Sequence, residues 1–321
     1  MQYIARFLLF IFITLFFVGC TQTQTPKKII SATTTQDVQI FTSKNSAITP
    51  QSIEDAFVRA NLNVVGNNNM NKPFAKRFDK IHYTTYNLAM FMSNDLTFKL
   101  IKKYPEFGAL APLSMSIWSD KNGMNIATLT LHGMARATKI PITDSDLIAY
   151  AQLIHKALYR AMPQGKFRQL PYTSTDNNNS YQVNFTASVT LDKGDSIEDY
   201  IEDFEAEFEA EMEPYGFLFP NYTNIQEELF DENHYKKYEF YHTYSICKFD
   251  VIYPVSKLHP EAGAWAPCSF YIYKKKGEAK MHMGFLGVNN WITTLNIKDK
   301  ASLQPLQNAQ GIIVKILNEM I

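Results

Sequence analysis

The sequence predicts an α+β fold: two tandem copies of a two-layer domain, each with helices on an antiparallel sheet. Three observations predict it. The decapeptide PEFGALAPLS at Pro105 returns as PEAGAWAPCS at Pro260 with seven of its ten residues unchanged. Upstream landmarks recur in the same order: Ser52-Ile53-Glu54-Asp55 with Ser196-Ile197-Glu198-Asp199, then Tyr83-Thr84-Thr85-Tyr86 with Tyr241-His242-Thr243-Tyr244. Downstream, each copy continues with two strand-like runs around a Gly-containing turn and closes on a helix. Landmarks kept in order along a chain are the mark of tandem duplication.

Taken in order, each copy opens on a Thr- or Val-rich strand, Val38 to Thr42 or Tyr181 to Val189. A helix follows. In the second copy it runs from Ser196 to Pro214, with Ile197, Ile201, Phe204, Phe208 and Met212 recurring every three or four residues. Ser196 and Asp199 have the spacing of a capping box, in which each side chain satisfies a backbone N–H of the other. The intervening Glu and Asp residues fall on a solvated outer face, as helical spacing requires. A strand through Tyr83–Leu88 or Tyr241–Cys247 leads to the repeated decapeptide. The hairpins are Leu113–Trp118 with Ile126–Leu131, turning at Lys121-Asn122-Gly123, and Cys268–Tyr273 with Lys280–Phe285. Asn-Gly between alternating strands is a hairpin signal because both residues tolerate positive φ. The closing helices are Asp144–Met162 and Leu306–Met320. Within each decapeptide the first Pro ends the preceding segment and the Gly permits a turn. The second Pro stands where a strand begins and a missing N–H does least harm.

The N-terminus reads differently. Arg6 precedes an unbroken apolar run from Phe7 to Val18, too short for a comfortable permanent span. Its ending, Phe17-Val18-Gly19-Cys20, resembles a bacterial lipobox and implies lipidation of Cys20 after removal of residues 1–19. The Thr- and Gln-rich stretch that follows, 20–36, has too few large apolar residues to pack and reads as a flexible tether. The first copy is then placed at 37–164, a polar, Asn-rich linker at 165–179 and the second copy at 180–321. A lipid-anchored protein of the bacterial cell envelope is expected, at the outer membrane facing the periplasm. The formal net charge is zero, which argues against nucleic acid as a partner. The expected partners are the membrane, through the lipid, and an unidentified small molecule or protein.

The stretch Pro260-x-x-Gly263-x-x-x-Pro267-Cys268, running into a strand and hairpin, resembles the domain of unknown function 302 family. The likeness covers most of each copy and is better in the second; Leu113 stands in the first where the family often has Cys. The resemblance implies a fold like the TATA-binding-protein-like α+β class and no established activity.

The candidate chemistry is sparse. Glu106 and Glu261 are the carboxylates repeated inside the signature, without a repeated His beside them, and are the first candidates for contacting a ligand. Tyr86 and Tyr244 are the second, because an inward Tyr in a curved sheet can line a cavity. Cys247 and Cys268 invite either a disulfide or a pair of buried thiols. Alternation places Cys268, Phe270 and Ile272 on one strand face, matching Leu113, Met115 and Ile117, so Cys268 occupies a core position. Cys247 is aligned with Ala89. Met281-His282-Met283 with Cys268 could hold copper, although alignment with Ala127, Thr128 and Leu129 assigns the methionines to the core. Ser114 and Ser269 lack a glycine elbow, and no phosphate-cradling loop or zinc-spaced cluster occurs. Two functions remain: a non-catalytic binding module for a small or lipidic ligand or a protein, and a redox- or copper-linked envelope protein using Cys247, Cys268 and His282.

Overall fold

A computed structural model describes residues 36–175, 181–191 and 193–321. The lipobox, Cys20 and nearly all of the tether lie outside the described residues, as do 176–180. Residues 34–321 form one compact unit.

The first half runs β1 (Val38–Ser43), α1 (Pro50–Val58), β2 (Asn63–Asn69), α2 (Asn71–Phe78), β3 (Tyr86–Met92) and α3 (Asn94–Lys103). A 3-10 turn at Pro105–Leu110 then leads to β4 (Leu113–Asp120), β5 (Gly123–Leu129), α4 (Leu131–Thr138), α5 (Ser145–Ala161) and β6 (Lys166–Arg168). The second half runs β7 (Gln182–Ser188), α6 (Ile197–Met212), β8 (Leu218–Asn224), a π-helical turn at Gln226–Asp231, β9 (Tyr238–Cys247) and α7 (Phe249–Leu258). The second 3-10 turn, Pro260–Ala264, precedes β10 (Cys268–Lys275), β11 (Lys280–Leu286), α8 (Asn289–Thr294) and α9 (Lys300–Met320).

Both sheets are antiparallel and have the same order, β1-β5-β4-β3-β2 and β7-β11-β10-β9-β8. Lys166–Arg168, assigned to the linker from their polarity, instead pair with β1 as a sixth edge strand of the first sheet. Helices cover one face of each sheet. Phe57 of α1 meets Phe91 of β3 edge-on at 5.1 Å, and Phe208 of α6 stacks on Phe270 of β10 at 5.0 Å. In α6 the reciprocal capping bonds between Ser196 and Asp199 are present, and Ile201, Phe204, Phe208 and Met212 are buried. Burying each such side chain contributes about 1.5–3 kcal/mol. In α1 the cap is Thr49, with Ser52 three residues on. Ser52 therefore does not occupy the place that Ser196 has, as the repeated tetrapeptide suggested.

Strand register corrects the internal alignment in the same way. Phe91 opposes Leu113 where Ile246 opposes Cys268, and Tyr86 opposes Trp118 where Tyr241 opposes Tyr273. The two strand pairs are thus related by a constant shift of 155 residues (91 to 246, 113 to 268). Tyr86 corresponds to Tyr241 rather than Tyr244, and Cys247 to Met92 rather than Ala89. The Tyr-x-x-Tyr echo is displaced by one three-residue step, because Tyr238 also stands three residues before Tyr241. The second hairpin turn is two residues longer, so Met281, His282 and Met283 correspond to Met124, Asn125 and Ile126.

Alternation along β4 and β10 suggests a polar outer face, yet Ser114, Ser116, Trp118, Ser269, Tyr271 and Tyr273 are all buried. The cover comes from the other half of the chain. The first 3-10 turn lies on β10 and the second on β4. Ser114 Oγ donates to the Pro267 carbonyl at 2.8 Å, and Ser269 Oγ to the Pro112 carbonyl at 2.7 Å. Tyr241 donates to the Pro105 carbonyl and Tyr86 to that of Pro260. Glycine is required at both turns. A Cβ on Gly108 would lie 2.7 Å from Tyr271 Cβ, and one on Gly263 2.6 Å from Leu88 Cδ2. Both Ala-Pro bonds of the decapeptides, Ala111-Pro112 and Ala266-Pro267, are cis. Each decapeptide is therefore a reciprocal clamp, and the halves meet as in a two-fold dimer written into one chain.

Candidate functional site

Two constellations contain the residues singled out by the sequence. The first lies at the seam. The Glu261 side chain is 7% exposed, and Oε1 accepts from the Tyr172 hydroxyl. His259 Nδ1 lies 3.6 Å from the same oxygen, and its Nε2 lies 3.9 Å from Asp299, the N-cap of α9. Burial, and then the Glu261 charge, raises the pKa of Tyr172 and pushes Tyr83 up to about 12. At the corresponding place in the first half, Tyr104 donates to the N-cap Asp144 of α5 at 3.1 Å. The Glu106 charge adds to the effect of burial in raising Tyr238, Tyr241, Tyr271 and Tyr273. Each repeated Glu thus faces tyrosines of the opposite half. Tyr172, from the segment joining the halves, acts as a neutral phenol holding Glu261 at the clamp. The structure does unite Glu261 with ionisable partners, but its hydrogen bond to Tyr172 ties the connection to the seam.

Tyr86 and Tyr244 are not brought together. Tyr86 is buried on the seam face of β3 and Tyr244 on the helix side of β9, beside Tyr222 at 5.0 Å. The soft-metal trio is also divided. His282 stacks on Tyr273 at 5.0 Å on the seam face, with Nε2 3.2 Å from Glu278. Met281, Met283 and Phe285 lie buried on the other face. Among the described residues no group of three or more His, Cys, Asp or Glu side chains is placed to hold a metal ion.

Cys247 and Cys268 do converge. Both are free, and both line an apolar cavity of about 60 Å³ in the second half, between the sheet and α7, α8 and α9. Phe217, Ile246, Val251, Trp291 and Ala309 are among its other walls. Burial, with Cys268 alongside, pushes the Cys247 thiol up to about 12. Burial pushes Cys268 up to about 12 as well, against a lowering effect of Trp291, and its Sγ donates to the Trp265 carbonyl at 3.4 Å. At neutral pH both are thiols, neither nucleophiles nor metal ligands without loss of a proton.

The cavity walls differ from the first half at positions that the displaced alignment concealed. With the shift of 155, Ile246, Cys247 and Cys268 replace Phe91, Met92 and Leu113. The aligned N-caps Asp144 and Asp299 set Ala309 opposite Ile154. All four residues of the first half are buried core. Four of these replacements are toward smaller side chains, whereas Phe285 in place of Thr128 and Leu306 in place of Ala151 are toward larger ones. Lys248 and Ala309 are wall residues that sequence reasoning missed. Volume comparison at the correct register would have found them.

Residues 192–320 match the family "Domain of unknown function DUF302". The chain is similar to a solved structure described as the uncharacterized conserved protein DUF302 from Bacillus stearothermophilus. Identity is 13%, covering 44% of this chain and 98% of that one, with a TM-score of 0.36. No curated protein matches.

Proposed function

We propose that this chain is a lipid-anchored envelope protein whose second half binds a small apolar group. The first half serves as the scaffold that clamps it, with the copies bounded near 37–164 and 180–321. The observation that carries the reading is the cavity beside Cys247 and Cys268. An apolar guest regains the dispersion contacts that such walls lack. Trp291 in the wall supplies a signal. Titrating intact protein with benzene or short alcohols is expected to change Trp291 fluorescence in a saturable way, and Ala309→Ile is expected to abolish the change. Unaltered fluorescence in the parent protein, with no guest retained in native mass spectra, would discard the reading. The anchor is supported by Phe17-Val18-Gly19-Cys20 and the polar tether. Radiolabelled fatty acid should enter the parent protein and not Cys20→Ser; equal labelling of the two would remove the anchor.

A further inference from the structure

The cavity is apolar except at two places in its wall, Lys248 and Gln310. Lys248 is an unusual neighbour for such a space. Its side chain is only 16% exposed, and its Nζ sits over the Phe217 ring at 5.1 Å and donates to the Tyr215 carbonyl. The nearest carboxylate, Asp250, is 3.8 Å away. Asp250 is already held through both oxygens by Arg77, at 3.1 and 2.6 Å. Two cations, Lys248 and Arg77, therefore share one anion.

The first half shows what this lysine displaced. The corresponding residue is Ser93, whose hydroxyl caps α3 by accepting from Leu96 N–H, and whose own N–H is taken by Tyr150. Lys248 occupies the N-cap of α7 and no side chain caps that helix. A helix without its Ser cap is less stable. The second half lacks that cap and has a cation in the wall of its apolar cavity.

From this geometry, and resting on the apolar-guest reading above, we infer that the ligand is a short amphiphilic carboxylate. Its hydrocarbon end fills the cavity and its carboxylate meets Lys248. A carboxylate paired to an ammonium makes a charge-assisted hydrogen bond, stronger than a neutral one. Gln310 uses its Oε1 to accept the Val288 N–H at 2.8 Å. Size limits the chain. If one water-sized group needs roughly 10–15 Å³, the cavity takes about four to six such groups. This corresponds to a short chain such as that of hexanoate.

The test compares hexanoate with hexan-1-ol on the intact protein by calorimetry and Trp291 fluorescence. Hexanoate is expected to bind at least tenfold more tightly than the alcohol, with the preference shrinking as salt rises. Lys248→Ser restores the residue type of the first half. It is expected to raise the melting temperature while abolishing the preference for hexanoate. Lys248→Met should abolish the preference without restoring the cap. Equal binding of acid and alcohol, unchanged by either substitution, overturns the carboxylate inference and leaves the apolar cavity standing. Binding of neither, with Ala309→Ile indistinguishable from the parent, removes the cavity reading itself.

Discussion

The first half closes its core over Phe91, Met92, Leu113 and Ile154. The second, at the same four places, sets Ile246, Cys247, Cys268 and Ala309 around open space. The seam shows no such divergence: Ser114 and Ser269 make the same bond to the opposite half, and each repeated glycine lies against the opposite sheet. The chain forms two similar helix–sheet layers that hold one another in place through their 3-10 turns. The clamp is common to both halves, and the differences that point to a ligand lie in the second.

The largest expected effect comes from exchanging the two cores. Ile154→Ala opens a cavity in the filled half and is expected to cost about 2–5 kcal/mol in urea unfolding. Ala309→Ile, its counterpart, is expected to cost less than about 1.5 kcal/mol or to stabilise, because space already exists. Similar penalties for both would break the comparison. The seam should instead behave symmetrically. Gly108→Ala and Gly263→Ala each force a methyl into the facing sheet and are expected to cost about 1–3 kcal/mol. A tolerated change at one glycine alone would show that the clamp is one-sided.

The thiols give a third contrast, in pH. Each is raised from 9.0 to about 12 in the folded state. The unfolded chain therefore ionises first, binding fewer protons than the native state above pH 9. Their contribution to stability is full below pH 9 and is lost as pH rises through about 12. Cys247→Met with Cys268→Leu, which installs the residues of the first half, is expected to reduce the alkaline slope in denaturant titrations between pH 9 and 11. An unchanged slope would show that other groups, such as the buried tyrosines, dominate it. The smallest effect belongs to Arg77 and Asp250, which join the halves with side chains 48% and 42% exposed. Arg77→Ala is expected to cost no more than about 1 kcal/mol in thermal unfolding. A larger loss would move part of the clamp to the surface.

Much of the fold was legible. The hairpins, the closing helices and the α6 cap followed from alternation, helical period and the spacing of Ser196 and Asp199, which are local properties of the chain. β2, α2, β8 and the π-helical turn were missed. Their sequences, such as NVVGNNN, carry little alternation and are held by neighbouring strands. The candidate site was legible only in part. Cys268 was placed in the core, but the cavity beside it depended on a register that the Tyr-x-x-Tyr echo set three residues out.

What the sequence determined by itself was the duplication, the α+β class and the glycine and proline positions of the decapeptides. These are written in residue identity and spacing. Tertiary structure alone decided where those decapeptides pack. A turn that looks like a local corner clamps the opposite half, so both faces of β4 and β10 are buried. It also decided where space remains, because a void depends on the volumes of side chains from β9, β10, α7, α8 and α9 that are distant in the chain.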